Sequence, residues 1–441
     1  MSRILLAVTP LAGHVKPMLP VAQQLVRDGH QVFFQTSDIF SAQAEAAGLQ
    51  FLSLLGNANY DYHCLGELIP ELRTAASPMD QANIYVKHVF ADRIADQYRS
   101  LQQVIAEKDI ELVMTDVLFL GELPLLLSEE SRPPVIACGV IAPSWVDPAF
   151  SIFTGPDGAP GGRARNIADN EKFLSLRAPG HSYLDAVLDQ LGVTIPGGFN
   201  ANSLYRLSDV FLQFGTEDFE YPMEDRPTNL VYTGPIIHRE SGAEAPAWMA
   251  KLDRSLPVVL VSQGTLANYD FDQLVNPAIS GLADEPVQVV VTAGGSQDGK
   301  ILSAKNAIIE PYVPYELILP MTSVFVTNGG YNGVQQALSY GVPIVCYGES
   351  EDKPLVSARV QWSGVGIALQ AGISMPEQIR DAVRKVLHDP SYAERARTLG
   401  AEIAKSDALQ MISRTVDATI AKLGYLREGA TKENRAGMTN L

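Results

Sequence analysis

At 441 residues the chain is too long for one ordinary hydrophobic core, and two domains of roughly 200 residues each are the natural division. Hydrophobic residues make up 46% and charged residues 19%, as in an ordinary folded protein, while a formal charge of −17 argues against nucleic acid and acidic membrane surfaces as partners. No apolar run reaches the roughly 18 residues that span a bilayer, and "MSRILLAVTP" lacks the long apolar stretch and cleavage site of a secretory leader. Cys64, Cys138 and Cys346 stand too far apart for a disulfide framework or a metal site. The expectation is a cytoplasmic protein with no stable membrane association.

In chain order, Ile4 to Val8 reads as a short buried strand, followed by the loop "TPLAGHVKP" and a helix that Pro17 or Pro20 starts. Leu19, Ala22, Leu25 and Val26 line one face of that helix, Gly29 stops it, and "QVFFQT" is the next strand. A strand, helix and strand in this order predict a parallel pair with a right-handed crossover. "IELVMTD" and "PPVIACGV" are two further strands, separated by an apolar helix through "ELPLLL". The Gly- and Pro-rich stretch 155–163 reads as an exposed loop.

The alternation restarts after the polar connector "VYTGPIIHRESGAEAPAW", with strands at "VVLVSQGT", "QVVVTAGG", "VFVTNGG" and "PIVCYG". Two successive doubly wound α/β domains are therefore expected, with ligands bound in a cleft beyond the carboxyl ends of their strands. The division is an amino-terminal domain over 1–235, a linker over 236–256, a carboxyl-terminal domain over 257–425 whose last helix returns to the first, and a polar tail over 426–441.

The chemistry-bearing residues stand at those strand ends. His14 follows the first strand, and Asp116 closes "ELVMTD", so both project at one sheet edge. A carboxylate on one imidazole nitrogen fixes the tautomer and leaves the other nitrogen as a base. Asp116 could equally cap the helix that follows it. In the second half, Ser262, Gly264 and Thr265 end one strand, and "TNGG" leads from another into a helix carrying Val334, Ala337 and Leu338 at helical spacing. A Gly-rich elbow entering a helix N-terminus suits an anion, though glycines there also permit close packing.

The stretch from Tyr312 to Lys353, "YVPYELILPMTSVFVTNGGYNGVQQALSYGVPIVCYGESEDK", resembles the nucleotide-sugar signature of family 1, UDP-glycosyltransferase-type enzymes with the GT-B fold. "GHVKPMLPVAQQL" resembles the same family's amino-terminal start, and the likeness covers nearly the whole chain in order. The resemblance implies an α/β GT-B architecture of two Rossmann-like domains facing a cleft. It also implies an inverting transfer of a hexose from a nucleotide-sugar to a hydroxyl of a small lipophilic or aromatic acceptor, as in natural-product glycosylation.

The same resemblance makes His14 the general base and Asp116 its supporting carboxylate. Tyr312 falls where an aromatic residue stacks on the nucleotide base, and the Val313 backbone where the base edge is bonded. Gly13, Ser262, Gly264, Thr265, Asn328, Gly330, Asn332 and Gly333 fall around the diphosphate. Asp352 matches the residue that grips sugar hydroxyls, with Lys353 beside it. The chain departs from the family in Asn328 for the usual His, Gln336 for the usual Glu and Lys353 for the usual Gln. A neutral amide at Gln336 accepts ribose hydroxyls less strongly, so a dTDP-sugar stands beside a UDP-sugar as candidate donor. No metal is expected, although "ESED" (Glu349 to Asp352) superficially resembles a cation site. No cofactor is expected beyond the nucleotide-sugar as co-substrate. A nucleotide-sugar epimerase of the same fold and a non-catalytic binder are the alternatives, and a His14–Asp116 pair favours transfer over both.

Overall fold

The computed structural model describes residues 1–237, 245–264, 270–295, 300–370 and 375–437. Two all-parallel sheets organise them. The first contains β1 (Arg3–Ala7), β2 (Gln31–Thr36), β3 (Gln50–Ser53), β4 (Leu112–Asp116), β5 (Val135–Gly139), β6 (Val210–Gln213) and β7 (Leu230–Tyr232), in the order β3-β2-β1-β4-β5-β6-β7. The second contains β8 (Val258–Ser262), β9 (Gln288–Thr292), β10 (Ala307–Glu310), β11 (Thr322–Thr327), β12 (Ile344–Cys346) and β13 (Gly366–Ala368), in the order β10-β9-β8-β11-β12-β13. β4, β5, β8 and β9 are buried along their whole length, because helices cover both faces of a parallel sheet.

The strand order of each sheet reverses once, between β1 and β4 and between β8 and β11. Loops leave in opposite directions at such a point and open a crevice beyond the carboxyl ends. Ala7 pairs with Thr115 at the first reversal and Ser262 with Thr327 at the second. His14 and Asp116 therefore follow the first reversal, and Ser262 and Asn328 the second.

Helix Ala12–Arg27 begins earlier than its prolines predict and holds Pro17 and Pro20 inside it. The Leu11 carbonyl accepts the N–H groups of His14 and Val15, both at 2.9 Å, so the helix nucleates at Leu11 and each proline removes only one later backbone bond. His14 accordingly lies in the first turn of a helix rather than in a loop. The exposed loop expected over 155–163 is shorter at its far end. Gly161 takes φ +78° and the long helix Gly162–Gln190 starts directly after it.

Ile4, Leu6, Val15, Met18, Leu25 and Phe34 build the core on one face of the first sheet. The last helix, Ala408–Gly437, returns to that core through Ile412 and Val416, and His30 Nε2 lies 3.3 Å from Asp417. The second sheet has its own cores, one around Leu260, Phe325, Val334 and Leu338, the other around Val259, Val291, Ile279 and Val383.

Candidate functional site

At the first reversal, His14 Nδ1 lies 2.6 Å from Asp116 Oδ1. His14 is 5% exposed and Asp116 fully buried. Backbone N–H groups hold the carboxylate from two sides: Thr9 donates to Oδ2 at 2.6 Å and Leu118 to Oδ1 at 3.1 Å. Asp116 thus binds both the imidazole and the turn that follows its strand; the helix after it, Glu122–Leu127, starts after Gly121 with no side-chain cap, so Asp116 does not cap it. With Nδ1–H donating to Asp116, Nε2 is the nitrogen left to accept a proton. A Cβ added at Gly13 would meet nothing within 4 Å, so no packing demand explains that glycine.

At the second reversal, Gly264 takes φ +81° and Gly329 φ +86°, conformations that side chains oppose. Ser262 Oγ accepts the Gly264 N–H at 3.3 Å, and the Asn328 side-chain amide donates to the Gln263 carbonyl. Asn328 therefore stitches the loop after β8 to the loop after β11. Gly330 caps helix Tyr331–Ser339, and Asn332 is exposed in its first turn. A methyl group on Gly333 would likewise meet nothing within 4 Å, which leaves open space beside the start of the helix. Gln336 lies half-buried further along the same helix. Thr265 lies outside the described residues.

Tyr312 follows β10 and is 69% exposed, with its hydroxyl over Gly295, where a Cβ would collide with it. Val313 turns inward and packs in the core of the second sheet. Asp352 Oδ2 accepts the Ala142 N–H at 3.0 Å across the two halves, and burial pushes its carboxyl above the ordinary range. Lys353 is buried, and its ammonium pairs with Glu351 and donates to Ser350 Oγ at 3.2 Å. Its charge therefore meets Glu351 in this structure. Among the described residues no three metal-ligating side chains cluster.

The contacts that fix the halves together beside this site were not legible in the sequence. Arg359 Nε lies 2.5 Å from Glu220 Oε2, its Nη2 donates to the Pro143 carbonyl at 2.9 Å, and its guanidinium stacks 4.6 Å from the Tyr221 ring. Tyr331 Oη donates to Glu220 Oε1 at 2.7 Å, and Gln335 Nε2 to the Phe214 carbonyl at 2.9 Å. No local pattern announces partners more than a hundred residues apart.

A profile of the family described as UDP-glucoronosyl and UDP-glucosyl transferase matches residues 199–416. The chain is 34% identical over 442 residues to UDP-glycosyltransferase 2 of Phaeomoniella chlamydospora, covering 95% of this chain and 96% of that one. The chain belongs to this UDP-glycosyltransferase family. It is also 32% identical over 425 residues to 4'-demethylrebeccamycin synthase of Lentzea aerocolonigenes, covering 92% and 97% of the two chains. Among solved structures, the glycotransferase of kitacinnamycin superposes with a TM-score of 0.72 at 21% identity, covering 95% of this chain and 99% of that one. CalG4, the calicheamicin glycosyltransferase, superposes with a TM-score of 0.71 at 20% identity, covering 96% and 98%. These likenesses establish the α/β GT-B fold with two Rossmann-like halves, and membership establishes a glycosyltransferase with a nucleotide-sugar donor and a small-molecule acceptor. Among the described residues of this glycosyltransferase, no helix is long and apolar enough to cross a membrane.

Proposed function

We propose that this glycosyltransferase moves a hexose from a UDP- or dTDP-sugar to a hydroxyl of a small lipophilic or aromatic acceptor, with His14 as general base and inversion at the anomeric carbon. The 2.6 Å pair of His14 with a doubly anchored Asp116 carries the reading. His14 Nε2 takes the acceptor's hydroxyl proton while the oxygen bonds to the anomeric carbon and the bond to the diphosphate oxygen breaks. Asp116 stabilises the imidazolium so formed.

The leaving diphosphate sits at the elbow of Gly264, Asn328, Gly330, Asn332 and Gly333, where the N-terminus of helix Tyr331–Ser339 contributes on the order of 0.3–1 kcal/mol when exposed and up to about 2 when partly buried. Backbone N–H groups and Ser262 add preorganised dipoles, so charge developing on the leaving group needs no metal ion. Tyr312 presents an exposed ring for a pyrimidine base, and Asp352, held by Ala142, offers its remaining oxygen to a sugar hydroxyl. The name of the Phaeomoniella chlamydospora relative favours a UDP-sugar, and the amide of Gln336 keeps a dTDP-sugar beside it.

The test is incubation with UDP-glucose or dTDP-glucose and a simple phenol, reading the product by NMR. An α-configured donor should give a β-linked conjugate. An α-linked conjugate, or an epimerised donor without conjugate, refutes the reading.

A further inference from the structure

A cavity of about 370 Å³ opens in the first half, lined by Asn57, Asn59, Tyr60, Cys64, Leu68 and Arg93. Its floor is the loop after β3, and in an all-parallel sheet that loop emerges at the same carboxyl edge as His14 and Asp116. Tyr60 and Val117, the residue after Asp116, belong to one apolar cluster, to which Leu11 at the start of the His14 helix also packs. The cavity therefore lies at the same sheet edge as the proposed base and shares an apolar cluster with the residues beside it.

Most polar groups around it already have partners. Asn57 Nδ2 donates to the Asp92 carbonyl at 2.9 Å, and Asn59 exchanges hydrogen bonds with Asp38 at 2.7 and 3.0 Å. Asp61, also on the wall, accepts from the His63 N–H at 2.9 Å and lies 2.8 Å from its Nδ1. Asp92 accepts from Tyr183 at 2.6 Å and pairs with His88 at 2.8 Å, and Asp96 takes the Asn57 N–H at 2.7 Å.

Arg93 and Tyr60 differ. Arg93 is 7% exposed and makes no ion pair among the described residues. Its guanidinium stacks 4.6 Å from the Tyr60 ring centre, one Nη donates to the His88 carbonyl, and Nε is buried without a partner. Tyr60 is 6% exposed, and its hydroxyl is likewise buried and unpartnered. Burial raises that phenol and lowers the guanidinium, so neither group is in an environment that satisfies it. The nearest carboxylate, Asp92, acts on Arg93 only at a distance and is itself engaged by His88 and Tyr183, so the buried cation is under-compensated, and a carboxylate matches a guanidinium fork in both charge and shape. The turn that presents Arg93 follows a π-helical segment, Tyr85–Phe90, a distortion that concentrates at functional sites.

We infer that this cavity is an anion subsite of the acceptor, in which Arg93 and Tyr60 hold a carboxylate carried by a molecule whose remaining body is apolar. The assignment of the carboxylate to an acceptor rests on the transfer reading above, whereas its binding does not.

The test compares para-hydroxyphenylpropanoic acid with its methyl ester as acceptors, and separately titrates phenylpropanoic acid and its ester calorimetrically in the absence of donor. The wild type should favour the acid by about tenfold or more in kcat/KM and bind the hydroxyl-free acid more tightly than its ester. Arg93→Met should bring both ratios to within about threefold of one, Arg93→Lys should retain part of them, and Tyr60→Phe should lower them by less. Acid bound more tightly without any transfer keeps the subsite and refutes the transfer reading. Equal binding of acid and ester by the wild type overturns the subsite, as does discrimination that survives in folded Arg93→Met. Should Arg93→Met fail to fold, the wild-type titration and Tyr60→Phe decide alone.

Discussion

Replacing Glu220 by Gln removes one charge from a pair that joins the two halves and leaves the other charge in place. The Glu220 and Arg359 side chains are 1% and 3% exposed and 2.5 Å apart, so solvent screens little of the interaction. The carboxylate also accepts from Tyr331 at 2.7 Å, while Arg359 donates to the Pro143 and Leu355 carbonyls at 2.9 and 3.0 Å. Glu220→Gln therefore keeps the shape but strands a buried guanidinium, a change that typically costs about 3–5 kcal/mol. Replacing both partners by apolar residues of similar volume should cost much less, because no desolvated charge is then left unpaired. Guanidinium chloride unfolding of the wild type, Glu220→Gln and a Glu220→Leu/Arg359→Met double variant measures the difference. A loss below about 1 kcal/mol in Glu220→Gln, or a double variant as damaged as the single one, would show that the pair is not sealed from water as the structure has it.

Three other predictions concern pH, the donor and metal. Burial pushes the Glu122 carboxyl up to about 8 from an ordinary 4.5, so its contribution to stability is full below about 4.5 and lost as pH rises through 8; Glu122→Gln should flatten that decline in urea-unfolding free energy, and an unchanged slope rejects it. Tyr312→Ala should weaken UDP and dTDP alike by about 1–3 kcal/mol in calorimetry, whereas Gln336→Glu should strengthen UDP more than dTDP; equal effects of the second change remove the ribose argument. Transfer should survive EDTA, and complete loss restored by Mg²⁺ or Mn²⁺ would return a metal to the "ESED" segment.

Local pattern carried the parts of the fold that are buried on both sides. β1, β2, β4, β5, β8, β9, β11 and β12 each show as an apolar run, since a central parallel strand has no solvent face. β3, β7, β10 and β13 are sheet edges, and "QFLS", "LVY", "AIIE" and "GIA" are too short or too mixed to stand out, as is the neighbouring "VFLQ" of β6. Positions at strand ends were legible for the same reason: His14 and Asp116 each follow such a run, and the structure brings them to 2.6 Å. The Asp352–Ala142, Arg359–Glu220 and Tyr331–Glu220 contacts were not, because they join residues 210, 139 and 111 positions apart and depend on how the halves pack. Arg93 was equally silent, since an arginine's lack of a direct ion-pair partner exists only in three dimensions.

In the proposed transfer, His14 takes the acceptor's proton. His14→Ala, assayed under single-turnover conditions with saturating donor and a phenolic acceptor, tests it most directly when paired with the dissociation constant of the nucleoside diphosphate. Transfer should slow by roughly 10²–10⁴-fold, with nucleotide affinity within about threefold of the wild type. Near-wild-type transfer in a folded His14→Ala protein would contradict it.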